Sequence, residues 1–222
     1  MIRGTYRYLL AQYARVAYRN RHRALVLERV GAKAFVVLPD VFNPVLFRSS
    51  VFLVEQLAGH VQPHHTVLDM GTGSGVGAVF AADVARRVVA VDINPAAVRC
   101  ATINALMNHV DDRVCVQQSD LFGTLGGQRF DVVLFNPPYY ANAPANDYDH
   151  AWRGENLFTR FAAALPAHLT PGGFALVVFS SDGDEGAFLA ALGRAGLRVK
   201  VVAMRDLINE ILTVYRIETD TP

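Results

Sequence analysis

The stretch VLDMGTGSGVG, Val67 to Gly77, decides the fold. An apolar run from Thr66 stops at Met70, and Gly71, Gly73, Gly75 and Gly77 alternate with small or apolar residues after it. The run VGAVFAADVA that follows has the pattern of a buried helix. A strand, a glycine turn and a helix form the opening unit of a parallel α/β sheet. In such a sheet ligands bind at the carboxyl ends of the strands, where residues without a Cβ let backbone N–H groups come close. A glycine turn alone is often only a tight turn, so the residues around it carry the argument.

Downstream, the alternation continues. RVVAVDI is a strand, PAAVRCATINALMNH is a helix with Pro95 in its first turn, and RVCVQQ and FDVVLF are strands. ENLFTRFAAALPAHL is a helix interrupted at Pro166, Pro171-Gly172-Gly173 is a turn, FALVVFS is a strand and GAFLAALGRAG is a helix. LRVKVVAM and ILTVYRI are strands with no helix between them, so they pair antiparallel. The expectation is a seven-stranded, mostly parallel, doubly wound α/β sheet of the Rossmann-like kind with an antiparallel last strand. Upstream, residues 3–22 show helical spacing, ALVLERV and AFVVL form a hairpin about Gly31-Ala32-Lys33, and SSVFLVEQLAGHV is a helix capped by Ser49. We expect two parts: a basic N-terminal helix and hairpin over residues 1–39, and the main domain over residues 40–222.

Composition bounds the function classes. The chain has 222 residues, 52% of them hydrophobic, enough for one substantial core. No uncharged apolar run reaches the roughly 18 residues of a membrane helix, and the start has no signal-peptide core. Two cysteines, Cys100 and Cys115, give neither a disulfide framework nor a zinc site, so the reducing cytoplasm is the expected compartment and no metal is expected. The net charge of +1 hides an asymmetry. Residues 1–39 hold eight Lys/Arg and one acid, a balance of +7, while the rest of the chain stands at −6. A basic arm of this kind either contacts nucleic acid or docks on an acidic surface, its own body included.

The ligand chemistry follows from the glycine spacing. A nicotinamide cofactor calls for G-x-G-x-x-G, but Val76 stands where the third glycine belongs. Asp69 precedes Gly71 by two residues; a carboxylate there repels a pyrophosphate and suits a cationic ligand. S-adenosyl-L-methionine, with an ammonium, a sulfonium and no phosphate, fits better. Asp92 ends its strand where an acid can accept both ribose hydroxyls, and Ile93 can pack on an adenine face. Asp120 follows the next strand and can accept from an adenine amino group. Any one of these acids could be a helix cap; three at successive strand tips beside a glycine turn point to one site.

The strand FDVVLF runs into Asn136-Pro137-Pro138-Tyr139. Proline fixes φ and holds the preceding residue extended, so this tip is stiff. The Asn136 side-chain oxygen and the Pro137 carbonyl offer two acceptors, which suit an NH2 group with its two hydrogens. Tyr139 can lie flat against a planar amide or a base.

At this point the sequence resembles the class I S-adenosyl-L-methionine-dependent methyltransferases, and within them the HemK-type N5-glutamine branch and related small methyltransferase domains. The resemblance rests on DVFNP, SSVFLVEQL, VLDMGTGSG, VVAVDINP, QQSDLF and FDVVLFNPPYY, with HAWRGENLFTRF and EILTVYRI similar to the short archaeal and eukaryotic forms. It implies that Asp69, Gly71 and Gly73 hold the methionine end and ribose, Asp92 the ribose hydroxyls, and Asp120 and Leu121 the adenine. It implies that Asn136 and Pro137 hold the target nitrogen, and that the Ser50 hydroxyl helps enclose the cofactor. The helical N-terminal domain of bacterial release-factor methylators is replaced here by a far shorter segment. The acids that follow the proline in the short forms are absent from VFNPVLFRSS, so a release-factor loop does not carry over as substrate.

The expected activity is methylation of a planar NH2 nitrogen in a macromolecule, either a protein glutamine side chain or an amino group of an rRNA or tRNA base. The resemblance favours glutamine and the basic arm favours RNA. The short forms use a small activator subunit; the N-terminal helix and hairpin here could take its place, so an activator is not required, though one can be accommodated. A non-catalytic binding module is disfavoured by the intact Asp69, Asp92, Asp120 and Asn136.

Overall fold

The computed structural model describes residues 24–138, 157–208 and 210–219. The expected helix over residues 3–22, Tyr139 and the loop after it lie outside the described residues. Strands β1 (Val26–Val30) and β2 (Lys33–Val37) form the expected antiparallel hairpin. Three short helices follow: α1 (Pro44–Phe47), α2 (Ser49–Val54) and α3 (Leu57–His60). The alternating part begins with β3 (Thr66–Met70), α4 (Val76–Ala81), β4 (Arg87–Asp92), α5 (Pro95–Met107), β5 (Val114–Gln118) and β6 (Phe130–Phe135). It ends with α6 (Leu157–Ala164), a 3-10 turn at Leu165–His168, β7 (Leu169–Ser180), α7 (Glu185–Arg194), β8 (Leu197–Asp206) and β9 (Ile211–Thr219).

Seven strands make one sheet in the order β5-β4-β3-β6-β7-β9-β8. The pairs from β5 to β7 are parallel, and β9 runs antiparallel to both β7 and β8. The chain starts at the centre with β3, moves outward to β5, then returns to β6 on the other side of β3. The strand order therefore reverses between β3 and β6, and their carboxyl ends flank the crevice where ligands bind in such sheets.

Both sheet faces are buried, as near-continuous apolar strands require. In β6, Val132 and Leu134 face one core with Phe52, Val79 and Val178, while Val133 and Phe135 face the other with Phe161, Phe179 and Phe188. Full burial of each such side chain contributes about 1.5–3 kcal/mol. The hairpin is stitched to the glycine turn by Asn104, which is fully buried on α5. Its Oδ1 accepts from Val36 N at 2.8 Å, and its Nδ2 donates to Val36 O at 2.7 Å and Ser74 O at 2.8 Å. Among the described residues no helix is long and apolar enough to cross a membrane.

Local expectations differ from the structure at three places. Ser49 is the first residue of α2, not its cap; the cap position is Arg48, held at φ 49° and ψ −21° without a side-chain cap bond. The helix expected from Ser49 to Val61 breaks after Val54, because Gln56 Nε2 donates to Phe52 O at 3.1 Å and Gln56 N bonds the nearer carbonyl of Leu53 at 3.0 Å. Pro171–Gly173 falls inside β7 as an irregularity: Leu169 pairs with Phe130 and Phe174 already pairs with Val132. Gly173 is needed there, since a Cβ would sit 2.9 Å from Phe130 O.

Candidate functional site

The glycine turn after β3 is built around Asp69. Its Oδ2 accepts from Thr72 Oγ1 at 2.6 Å and from Ala78 N at 2.8 Å. Gly77 leaves room for this carboxylate: a Cβ there would lie 2.4 Å from Asp69 Oδ1. Gly75 has φ +83° and packs on α5, where a Cβ would meet Ala101 Cα at 3.0 Å. Burial pushes the Asp69 carboxyl up to about 6, against the lowering effect of its Thr72 and Ala78 bonds. Asp69 thus organises the loop from within.

Asp92 ends β4 and ties the neighbouring elements together. Its Oδ2 accepts from Gly73 N and its Oδ1 from Asn94 N, both at 2.9 Å. Burial raises it to about 6 as well, offset in part by the bonds from Asn94 and Gly73. Asn94 then caps α5 by accepting from Ala96 N at 2.9 Å. Beyond β5, Ser119 Oγ donates to Leu121 O at 2.8 Å and accepts from Thr124 N at 3.1 Å. This turn holds Leu121 at φ 48°, an uncommon conformation for a residue with a side chain.

A cleft opens between these tips. Of the residues expected from the sequence, Gly71, Asp92, Ile93, Asp120 and Leu121 line it, together with Phe135 and Pro138. Asp69 and Gly73 adjoin it through the glycine turn and are not among its lining residues. Among the described residues, two carboxylates and no cationic side chain line the cleft. That lining fits a ligand that carries positive charge and hydroxyls, as S-adenosyl-L-methionine does, and opposes a pyrophosphate. Asp120 also meets Arg160 of α6 at 2.7 Å, with both side chains about half exposed.

At the mouth of the crevice, Asn136 follows β6. Its Nδ2 donates to Ser49 Oγ at 3.0 Å and to Ser50 Oγ at 2.9 Å. Both amide hydrogens are thereby used, and Oδ1 accepts no hydrogen bond within the described residues. Pro137 precedes Pro138, which has no N–H to offer its carbonyl. Ser50 lies on Asn136 and is not part of the cleft lining.

Sequence reasoning gave Ser49 only the role of a helix cap and did not single out Asn104, Ser119 or Arg160. Asn104 had a readable signal: it falls on the buried stripe of α5 with Ala97, Cys100, Ala101 and Ala105, where a polar side chain must find partners. Ser49 and Arg160 meet their partners across 87 and 40 residues, and no local pattern encodes such pairs.

The model of the methyltransferase small domain family matches residues 33–196. A Methanocaldococcus jannaschii protein, assigned provisionally as a protein N5-glutamine methyltransferase, is 31% identical over 199 residues, covering 86% of this chain and 97% of that one. The release factor glutamine methyltransferase of Geobacter sulfurreducens is 33% identical over 178 residues, covering 73% of this chain and 61% of the relative. The solved structure of a Thermus thermophilus 16S rRNA guanine-N2 methyltransferase, in complex with S-adenosylmethionine and guanosine, shares the fold with a TM-score of 0.64 at 21% identity; the match covers 88% of this chain and 50% of that one. The chain belongs to the methyltransferase small domain family and is an S-adenosyl-L-methionine-dependent methyltransferase.

Proposed function

We propose that this enzyme methylates a planar NH2 nitrogen, and that its acceptor is the side-chain amide of a glutamine in a protein. The observation that carries the reading is the state of Asn136, whose two amide hydrogens are engaged by Ser49 and Ser50. Its oxygen is left for the acceptor. With the Pro137 carbonyl it offers two acceptors on a stiff tip, matched to the two hydrogens of an NH2 group.

An amide nitrogen is a weak nucleophile because its lone pair is delocalised. S-adenosyl-L-methionine, when bound, supplies a methyl group on a positively charged sulfur. Asp92, Ile93, Asp120 and Leu121 are the residues assigned to its ribose and adenine, and Gly71 and Gly73 to its methionine end. Asn136 and Pro137 hold the acceptor NH2 by both hydrogens and stabilise the positive charge that develops on nitrogen as the N–C bond forms. The proton then leaves from that nitrogen, so no strong general base is required. Orientation and preorganised acceptors carry the rate. The two glutamine-directed relatives support this reading, and the free thiols of Cys100 and Cys115 are compatible with a cytoplasmic enzyme.

The charge of +7 over residues 1–39 favours a second reading, an amino group of an RNA base. Transfer of labelled methyl groups in a lysate separates the two. The expected product is protease-sensitive, RNase-resistant, and releases its label as methylamine on acid hydrolysis. Label lost to RNase and retained after protease overturns the glutamine reading.

A further inference from the structure

A second groove shares no lining residue with the cleft described above. It is lined by Arg29, Arg48 and Arg205 over an aliphatic floor that includes Val30, Val51 and Leu212. It sits at the carboxyl edge of the sheet. Leu212 pairs with Ser180 at the end of β7, and Arg48 directly precedes the serine whose Oγ meets Asn136.

Three guanidinium groups around one groove repel each other unless something negative joins them. Glu55 answers one: its carboxylate meets Arg205 at 2.6 Å, and the Arg205 guanidinium also covers the Phe52 ring at 4.5 Å. Arg29 donates to Ala32 O at 3.5 Å, and neither Arg29 nor Arg48 has an acidic side chain within ion-pair distance among the described residues. Both are exposed. Two arginines therefore line the groove with no acidic partner among the described residues.

We propose that this groove binds an acidic side chain of the substrate polypeptide, in the segment that flanks the methylated glutamine. The inference rests on the reading of a protein glutamine as acceptor. The floor decides for a peptide over RNA. Single-stranded RNA is gripped by basic grooves that carry aromatic platforms for the bases, whereas the described residues lining this groove are arginine, glycine, valine and leucine, with no aromatic ring among them. Aliphatic walls with arginines between them match a segment that alternates apolar and acidic side chains, and arginine is the residue best shaped to take a carboxylate in two parallel bonds.

Fluorescence anisotropy on the whole chain tests this with three labelled probes: a short peptide with one glutamine flanked by Glu and Leu, the same peptide with Lys for Glu, and an oligouridylate of similar length. The Glu peptide should bind at least about tenfold more tightly than the Lys peptide, as charge-assisted bonds predict. The pair Arg29→Gln and Arg48→Gln should remove that preference with S-adenosyl-L-methionine affinity unchanged. The pair Arg29→Glu and Arg48→Glu should invert it, a gain that misfolding does not produce. Equal binding of the two peptides, or a preference indifferent to the arginines, overturns the groove as an anion site. Oligouridylate binding that exceeds the Glu peptide and falls with the same substitutions overturns the peptide assignment and the glutamine reading together. A groove that prefers the Glu peptide in an enzyme whose lysate label is RNase-sensitive leaves the groove standing and removes only the glutamine.

Discussion

Asn136 Nδ2 stands 2.9 Å from Ser50 Oγ, a bond that spans 86 residues and ties the tip of β6 to the first turn of α2. With Ser49 on the second hydrogen, both amide hydrogens are engaged and Oδ1 accepts no hydrogen bond within the described residues. Asn136→Ala should lower kcat about a hundredfold or more, the scale of losing one preorganised acceptor, and leave cofactor affinity nearly intact. Ser50→Ala should act in the same direction by about tenfold, since Ser49 still holds one hydrogen. Steady-state kinetics beside calorimetry checks both. Equal loss of turnover and cofactor binding in Asn136→Ala would show that the tip only supports the fold.

Asp92 gives a pH signature. Its carboxyl is raised to about 6 from the ordinary 3.8, chiefly by burial. A raised carboxyl contributes stability that is fully present below pH 3.8 and is lost as pH rises through about 6. Cofactor binding has the opposite dependence, because the ionised form is the better acceptor for ribose hydroxyls. Affinity for S-adenosyl-L-methionine should therefore rise between pH 5 and pH 7. Asp92→Ala should weaken it by about 1–3 kcal/mol at neutral pH and flatten that profile. Titration calorimetry across the range is the measurement, and an unchanged slope in the variant assigns the dependence to another group.

Much of this was legible because the sheet is built from local signals. Seven apolar runs punctuated by glycine, proline and acids gave the strands and their sense, and the absence of a helix between β8 and β9 gave the antiparallel ending. The strand tips named the cleft residues Asp92, Ile93, Asp120 and Leu121. What stayed hidden is what side chains do across long separations. Asp69 is expected at the methionine end of the cofactor; the bonds from Thr72 and Ala78 by which it also organises its own loop have no signal in the local pattern. Ser50 is expected to help enclose the cofactor; its bond from Asn136, 86 residues away, has no local signal. Ser49 read as a helix cap, but the chain passes through Arg48 in a left-handed conformation and frees the serine for Asn136.

Gly77 tests the Asp69 arrangement by the sign of one substitution. In an ordinary helix interior Gly→Ala stabilises by about 1 kcal/mol. Here the new Cβ would fall 2.4 Å from Asp69 Oδ1 and 2.7 Å from its Cγ. The buried carboxylate would have to move and give up its bonds from Thr72 and Ala78. Gly77→Ala should therefore destabilise by about 2–4 kcal/mol, the range for breaking a buried polar network. Chemical denaturation monitored by circular dichroism reads it, and a variant as stable as the parent would mean that the loop tolerates displacement of Asp69.

The basic arm offers the last test. Residues 1–39 carry +7 against −6 on the rest of the chain, so the arm can neutralise phosphates or the acidic body of its own protein. The part of it that is described favours the body: Lys33 Nζ lies 3.0 Å from Asp83 Oδ1. If the arm gripped RNA, counterion release would make binding fall steeply with salt, with a slope of about −0.7 per phosphate contact on a single strand. We expect instead weak oligouridylate binding at all ionic strengths. Changing Arg15, Arg19, Arg21 and Arg23 together to Gln preserves helix propensity while removing four charges. It should leave both oligouridylate affinity and methylation of the protein acceptor within about twofold of the parent. A salt slope that is steep in the parent and shallower by about 2–3 in the variant would assign the arm to RNA, and would move a base amino group ahead of glutamine as the acceptor.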